Sequence, residues 1–109
     1  MARYLLHLTH LGHEVKRWRL TPNGELHSML TDLYDITDAE LYEAKGSISR
    51  AHVRLAIGQL FDYRRYMSPP PARITILLPG RPATDLLELM GDLGIGCVWE
   101  TSSHGFERR

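Results

Sequence analysis

The spacing of apolar and polar residues along the chain predicts three helices. Apolar residues recur at helical intervals over 3–11, and Gly12 is suited to end that helix. A second helix is predicted for about 50–66, with Ser49 as its N-cap, and the prolines at 69–71 prevent it from continuing. A third is predicted for about 84–93, before Gly94.

Strand patterns occupy the segments between these helices. The predicted strands cover 14–20, 26–36, 40–45, 73–78 and 96–101. The resulting order is α-β-β-β-α-β-α-β, in which strands joined by turns precede strands joined through helices. This order predicts an α/β fold with a mixed β-sheet flanked by helices. The polar segment 102–109 is expected to be a flexible tail.

Length and composition are those of a small globular domain. The 109 residues suit a single domain, 1–109, which is either a whole protein or a piece of a longer one. No apolar run approaches the roughly 18 residues of a membrane span, and the N-terminal residues do not have the pattern of a signal peptide. Since Cys97 is the single cysteine, no internal disulfide can form. These features together predict a cytoplasmic protein that does not contact a membrane.

Charge is balanced over the whole chain but segregated along it. Segments 1–22 and 46–82 are basic, whereas 23–45 and 83–109 are acidic. An acidic centre between basic segments suits a metal site beside a phosphate-binding surface. From charge alone, however, solubility is the simpler explanation.

Three histidines follow one another at intervals of three residues, His7, His10 and His13. A helical zinc-binding pair is usually spaced by four, and no cysteine or acid completes a ligand set nearby. A polar helix face is therefore the preferred interpretation.

The strand predicted for 40–45 carries a chemically suggestive pair. Side chains alternate along a strand, so Glu43 and Lys45 share one face, and the backbone carbonyl of the small Ala44 could reach a metal. Hydrolysis of a phosphodiester needs a hard cation held by oxygens, together with positive charge near the transition state. Alone, the pair is a weak signal, because such pairs occur by chance and also serve as cross-strand ion pairs.

A second acid on the same face is expected from the preceding strand. A hairpin with its turn at 38–39 places Asp32 opposite Lys45, diagonal to Glu43, whereas Asp35 points to the other face. A register slip of one residue would reverse this choice. Two adjacent carboxylates repel each other unless a cation joins them, which is a physical reason to expect a divalent metal.

The helix predicted for 50–66 presents further polar groups. Gln59 and Tyr63 are four residues apart and therefore lie on one face, as a polar flank or as part of a site. Its arginines suit phosphate contacts, although they could equally be solvated. They are Arg50, Arg54, Arg64 and Arg65.

An acid that begins an Asp-Leu-Tyr step, then Glu-x-Lys on a strand, then Gln-x-x-x-Tyr on the next helix, resembles the active-site motif of the PD-(D/E)XK nuclease superfamily. It most resembles the branch with the Gln-x-x-x-Tyr element, over about 14–78. The resemblance implies a restriction-endonuclease-like core and a Mg²⁺-dependent deoxyribonuclease, with Mn²⁺ as a substitute. The family's roles then fall on this chain as follows: Asp32, Glu43 and Ala44 bind the metal, Lys45 activates water, and Gln59 and Tyr63 complete the pocket.

Two departures from the family pattern leave alternatives open. Thr31 stands where the family name implies proline, and the first helix has no acid before Glu14. The second departure fits either a single-metal site or a piece of a longer protein. The predicted function is an endonuclease of restriction or repair type, with DNA and either a second copy or a fused recognition domain as partners. The alternatives are an inactive nuclease-fold module for nucleic-acid binding or oligomerisation, and a homodimeric junction-resolving nuclease.

Overall fold

A six-stranded mixed sheet runs through the protein, with helices against both of its faces. The computed structural model describes all 109 residues. The helices are α1 (Ala2–His10), α2 (Arg50–Arg64) and α3 (Thr84–Asp92). The strands are β1 (Val15–Lys16), β2 (Arg19–Leu20), β3 (Met29–Leu30), β4 (Leu33–Asp35), β5 (Glu40–Ala44), β6 (Arg73–Leu78), β7 (Gly96–Glu100) and β8 (Phe106–Arg108).

The central sheet has the strand order β1-β4-β5-β6-β7-β8, and β2 and β3 form a separate two-stranded ribbon. Strands β1, β4 and β5 are antiparallel neighbours, whereas β5, β6 and β7 are parallel. The parallel strands are joined through α2 and α3, as parallel neighbours require. The predicted class, an α/β fold with a mixed sheet flanked by helices, is confirmed.

The two faces of the sheet support two separate apolar cores. Alternation along β5 directs Leu41 toward α2, whereas Tyr42 packs with Tyr4 and Leu8 of α1. The larger core lies under α2 and α3, and the smaller core lies under α1. Since Glu43 follows Leu41 by two residues, the alternation also sends its side chain toward α2.

Helix α2 begins where the sequence indicates. The hydroxyl oxygen of Ser49 accepts a hydrogen bond from the backbone N–H of His52 at 3.3 Å, which caps the first turn. The inward residues Val53, Ala56 and Leu60 are all fully buried. None of the three helices combines the length and apolar character needed to cross a bilayer.

The long strands predicted for 14–20 and 26–36 are each divided in two. Thr31 is responsible, because its side-chain oxygen accepts from the backbone N–H of Trp18 at 2.8 Å. Its carbonyl oxygen instead accepts from Arg17 Nε at 2.7 Å. A side chain thus replaces a backbone group in the ladder, and the β2–β3 ribbon leaves the main sheet at this point.

The flexible tail predicted for 102–109 is wrong for its last residues. β8 pairs with β7 in antiparallel register, Val98 opposite Arg108. The Arg108 guanidinium donates to Glu40 Oε2 at 2.7 Å and to the Tyr42 hydroxyl at 2.8 Å. The two acceptor residues, Glu40 and Tyr42, lie far from 102–109 in the sequence. The element order is therefore α-β-β-β-β-β-α-β-α-β-β, which differs from the prediction.

Candidate functional site

The β4–β5 hairpin decides which acids share a face. Its register pairs Leu33 with Tyr42 and Asp35 with Glu40, which is two residues away from the predicted pairing. The predicted turn at 38–39 is wrong because the loop has four residues, 36–39, with the fourth, an alanine, at a φ of 53°.

A shift of two residues leaves every side chain on the face it was predicted to occupy. Continuing the observed register sets Asp32 directly opposite Glu43 rather than opposite Lys45. The expectation that Asp32, and not Asp35, shares the face of Glu43 therefore agrees with the structure. Asp35 lies on the α1 face, paired with Glu40.

Asp32, Glu43 and Lys45 form a compact, largely buried cluster. The backbone N–H of Ala44 donates to Asp32 Oδ2 at 2.9 Å, which fixes the first carboxylate against β5. Lys45 Nζ lies 3.3 Å from Glu43 Oε2, and the two side chains are 12% and 5% exposed. The contact observed for Ala44 is through its amide, so the metal-binding role predicted for its carbonyl stays a prediction.

The Glu43 carboxyl has an unusual affinity for protons. Burial raises its pKa most and the neighbouring Asp32 carboxylate also raises it, whereas Lys45 lowers it, and the pKa that results is about 7. Near neutral pH this group is therefore close to half protonated. A divalent cation would replace the proton and remove the repulsion between the two carboxylates.

Helix α2 adds two polar side chains close enough to the strand acids for their charges to act on one of them. Gln59 Nε2 donates to the Tyr63 hydroxyl at 3.3 Å, which orients the amide. Burial raises the pKa of Tyr63, and the charges of Glu43 and Asp32 contribute in the same direction. The charges of Glu43 and Asp32 thus act on Tyr63, as expected if the strands and the helix form one site.

Buried polar atoms without a hydrogen-bond partner are concentrated in this cluster. They are Trp18 Nε1, Glu43 Oε1 and Gln59 Oε1. Two of the three are oxygens at the candidate site, where an unpaired buried acceptor is costly. Carboxylate and amide oxygens are ligands that hard divalent cations prefer, so the donor set fits Mg²⁺ or Mn²⁺.

The four arginines predicted to bind nucleic acid make their contacts elsewhere. Arg50 Nη2 lies 2.5 Å from Asp85 Oδ2, and Arg50 and Arg54 line a groove between α2 and α3. That groove is on the flank of α2 opposite Gln59. The guanidinium carbon of Arg64 lies 4.4 Å from the centre of the Phe61 ring, and Arg65 pairs with a neighbouring acid of its own helix. Helical spacing already separates Arg50 and Arg54 from Gln59, but it does not indicate that Asp85 of α3 is the partner of Arg50.

The α1 face of the same hairpin holds a second set of acids that the sequence did not reveal. Glu40 is fully buried and accepts hydrogen bonds from Thr75 Oγ1 at 2.5 Å and from Arg108. Burial by itself would raise the pKa of Glu40, but these hydrogen bonds outweigh it and hold the pKa below its usual value. This carboxylate is therefore a satisfied structural ion.

His13 contacts acids on the α1 face of the hairpin and does not cluster with His7 and His10. Its Nδ1 lies 2.6 Å from Asp35 Oδ2 and 3.9 Å from Asp38 Oδ2, so the three groups are close enough to hold a metal. Both oxygens of Asp35 are already used, however, since the other accepts from the Asp38 N–H at 3.3 Å. The hydrogen bond to Asp35 raises the pKa of His13, which favours an ion pair there. His7 and His10 remain exposed on α1.

No protein-family model matches the chain, and no match was found among curated proteins or solved structures.

Proposed function

We propose that the protein is a metal-dependent endonuclease that hydrolyses DNA phosphodiester bonds, of restriction or repair type. One observation carries the proposal: the buried oxygens Glu43 Oε1 and Gln59 Oε1 have no partner, in a cluster that also contains Asp32. Such oxygens form an incomplete ligand shell for a hard cation. The Lys45 ammonium beside them matches the charge that develops during phosphodiester hydrolysis.

Each side chain has a distinct role in this proposal. Asp32 and Glu43 would hold Mg²⁺, which when bound would supply Lewis-acid polarisation of the scissile phosphate. Lys45 stabilises the negative charge of the transition state and orients the attacking water. Gln59, whose amide is fixed by Tyr63, offers its free oxygen to that water or to the cation. DNA is the proposed substrate, and a second copy of the chain would allow symmetric cutting of two strands.

The proposal is tested by plasmid nicking in Mg²⁺ with Glu43→Gln and Lys45→Ala. Loss of a charge-stabilising group from a preorganised site typically costs a factor of about 100 or more in rate. We expect a loss of that size in both variants. Glu88→Gln removes an exposed acid on α3 and serves as the matched control. Nicking that persists unchanged in both site variants would contradict the proposal.

Metal binding is measured separately by calorimetry with Mn²⁺. We expect binding by the wild type that Glu43→Gln weakens and that strengthens as the pH rises through 7, because protons compete with the cation for Glu43. Retained DNA binding without Mn²⁺ binding would instead favour an inactive nuclease-fold module. Comparing four-way junctions with linear duplex as substrates separates the junction-resolving alternative.

A further inference from the structure

A cavity of about 400 Å³ lies where the β2–β3 ribbon meets the end of α2. Its walls include Trp18, Arg19 and the turn at 21–23 on one side and Tyr66 on the other. We refer to this cavity as the ribbon pocket. Its volume is within the usual range for pockets that bind small organic groups, and two aromatic side chains border it.

The ribbon pocket adjoins the candidate site through both chain segments that build it. The backbone N–H of Tyr66 donates to the carbonyl of Tyr63 at 3.0 Å, so the two tyrosines are separated by about one helical turn. On the ribbon side, the rings of Trp18 and Tyr34 are in edge contact, with centroids 5.9 Å apart. Tyr34 is two residues from Asp32 on the same strand face.

Positive charge surrounds the aromatic walls. Lys16 Nζ lies 4.1 Å from the centre of the Trp18 ring, and Arg65 Cζ lies 5.1 Å from the Tyr66 ring. Arg19 is exposed at the pocket, and neither it nor Lys16 belongs to any ion pair of the structure. The single acid between residues 15 and 31 is Glu25. The pocket therefore combines two aromatic rings with two cations that have no acidic partner, Lys16 and Arg19, whereas Arg65 is paired with Asp62.

We infer that the ribbon pocket binds one nucleotide of single-stranded nucleic acid beside the site of cleavage. Single strands are typically held by aromatic rings against the bases and by basic groups along the backbone. Here Trp18 and Tyr66 would contact the base, and Arg19 and Lys16 the flanking phosphates. A base can enter such a pocket only when it is unstacked and unpaired. The inference rests on the proposed function for the substrate class, and it narrows that class to DNA with a free or splayed strand.

Binding of fluorescein-labelled oligonucleotides in EDTA tests the pocket without cleavage. We expect the wild type to bind single-stranded DNA more tightly than duplex of the same length. Arg19→Glu and Tyr66→Ala should each weaken that binding at least about fivefold, the lower end for loss of one stacked base. Arg81→Glu makes the same charge change at an exposed position between β6 and α3, outside the pocket lining, and should change affinity less than about twofold.

Tryptophan fluorescence locates the bound strand. Trp99 is buried at 6% exposure, whereas Trp18 borders the pocket. Quenching by single-stranded DNA should therefore disappear in Trp18→Phe. The inference is contradicted if duplex binds as tightly as single strand, or if Arg81→Glu weakens binding as much as Arg19→Glu. Arg19 is exposed, so its variant remains informative even if Tyr66→Ala fails to fold.

Two further outcomes separate this inference from the proposed function. Pocket-dependent binding without Mg²⁺-dependent cleavage would remove the nuclease proposal and leave the pocket in place. Mg²⁺-dependent cleavage that neither Arg19→Glu nor Tyr66→Ala affects would remove the pocket inference and leave the nuclease proposal in place. A parallel series with RNA oligonucleotides decides which nucleic acid the pocket accepts, because stacking and phosphate contacts are common to both.

Discussion

The two faces of the β4–β5 hairpin each carry a pair of acids, and the protein satisfies the two pairs very differently. On the α1 face, Glu40 accepts hydrogen bonds from a guanidinium and a hydroxyl group, and its pKa is held low. On the α2 face, Glu43 has one oxygen without any partner, and its pKa is raised to about 7. Both glutamates are buried, at 0% and 4% exposure. Their difference therefore comes from the donors around them and not from burial.

The satisfied pair is the one to expect in a structural network, and the unsatisfied pair is the one to expect in a binding site. An unpaired buried carboxylate lowers the stability of the fold, and proteins commonly tolerate such costs where a ligand supplies the missing partner. Removing one charge should therefore lower the stability of the fold on the α1 face and raise it on the α2 face.

The largest expected effect is on the α1 face, from Arg108→Met. Removing one partner of a buried ion pair typically costs about 3–5 kcal/mol. We expect about 3 kcal/mol less stability in urea unfolding, because Arg73 still lies 3.2 Å from Glu40. Arg109→Met, at the neighbouring exposed position, is the control. A loss no larger than that of the control would show that Arg108 is dispensable to Glu40.

The next effect is opposite in sign and comes from Glu43→Gln. The raised pKa of Glu43 means that its contribution to stability is intact below its unfolded pKa of about 4.5 and is lost as the pH rises through about 7. Without metal, the variant should therefore match the wild type near pH 4 and exceed it at pH 8 by up to roughly 3 kcal/mol. Urea unfolding at the two pH values measures this. A difference that does not change with pH would contradict it.

The smallest effect concerns His13→Gln on the α1 face. The hydrogen bond to Asp35 raises the pKa of His13, so the ion pair stabilises the fold below the unfolded pKa of His13 and is lost as the pH rises through the folded value. The wild type should be the more stable protein at pH 6, and the gap should narrow toward pH 9. His10→Gln, on the exposed face of α1, is the control for loss of a histidine. An equal gap at both pH values would assign it to packing instead of charge.

Local patterns were sufficient to predict the three helices and the face of Asp32. Alternation on a strand has a period of two, so even a hairpin register wrong by two residues kept Asp32 beside Glu43 and Asp35 away from it. The Ser49 cap and the inward stripe of α2 are likewise properties of neighbouring residues. Strand alternation, helix capping and helical spacing all depend on residues that are only a few positions apart in the sequence.

The features that the sequence did not predict depend on contacts between residues that are far apart in the chain. Neither Arg108 nor His13 has a local pattern that indicates its partner, because Glu40 and Asp35 lie 68 and 22 residues away. The division of the first strands depends on Thr31 bonding across the ribbon to Trp18. The partner of Arg50 could not be predicted for the same reason, since Asp85 belongs to another helix.

The contact between Glu40 and Arg108 also has a consequence for the way the chain folds. Strands β6 and β7 lie between β5 and β8, so the Arg108 guanidinium can reach Glu40 only after both have joined the sheet. Contacts between residues this far apart in the chain form slowly. Until β8 docks, a sheet that buries Glu40 lacks the main cation that balances it. Partly assembled forms are thus less stable than the completed sheet, and the transition between the unfolded chain and that sheet becomes more cooperative.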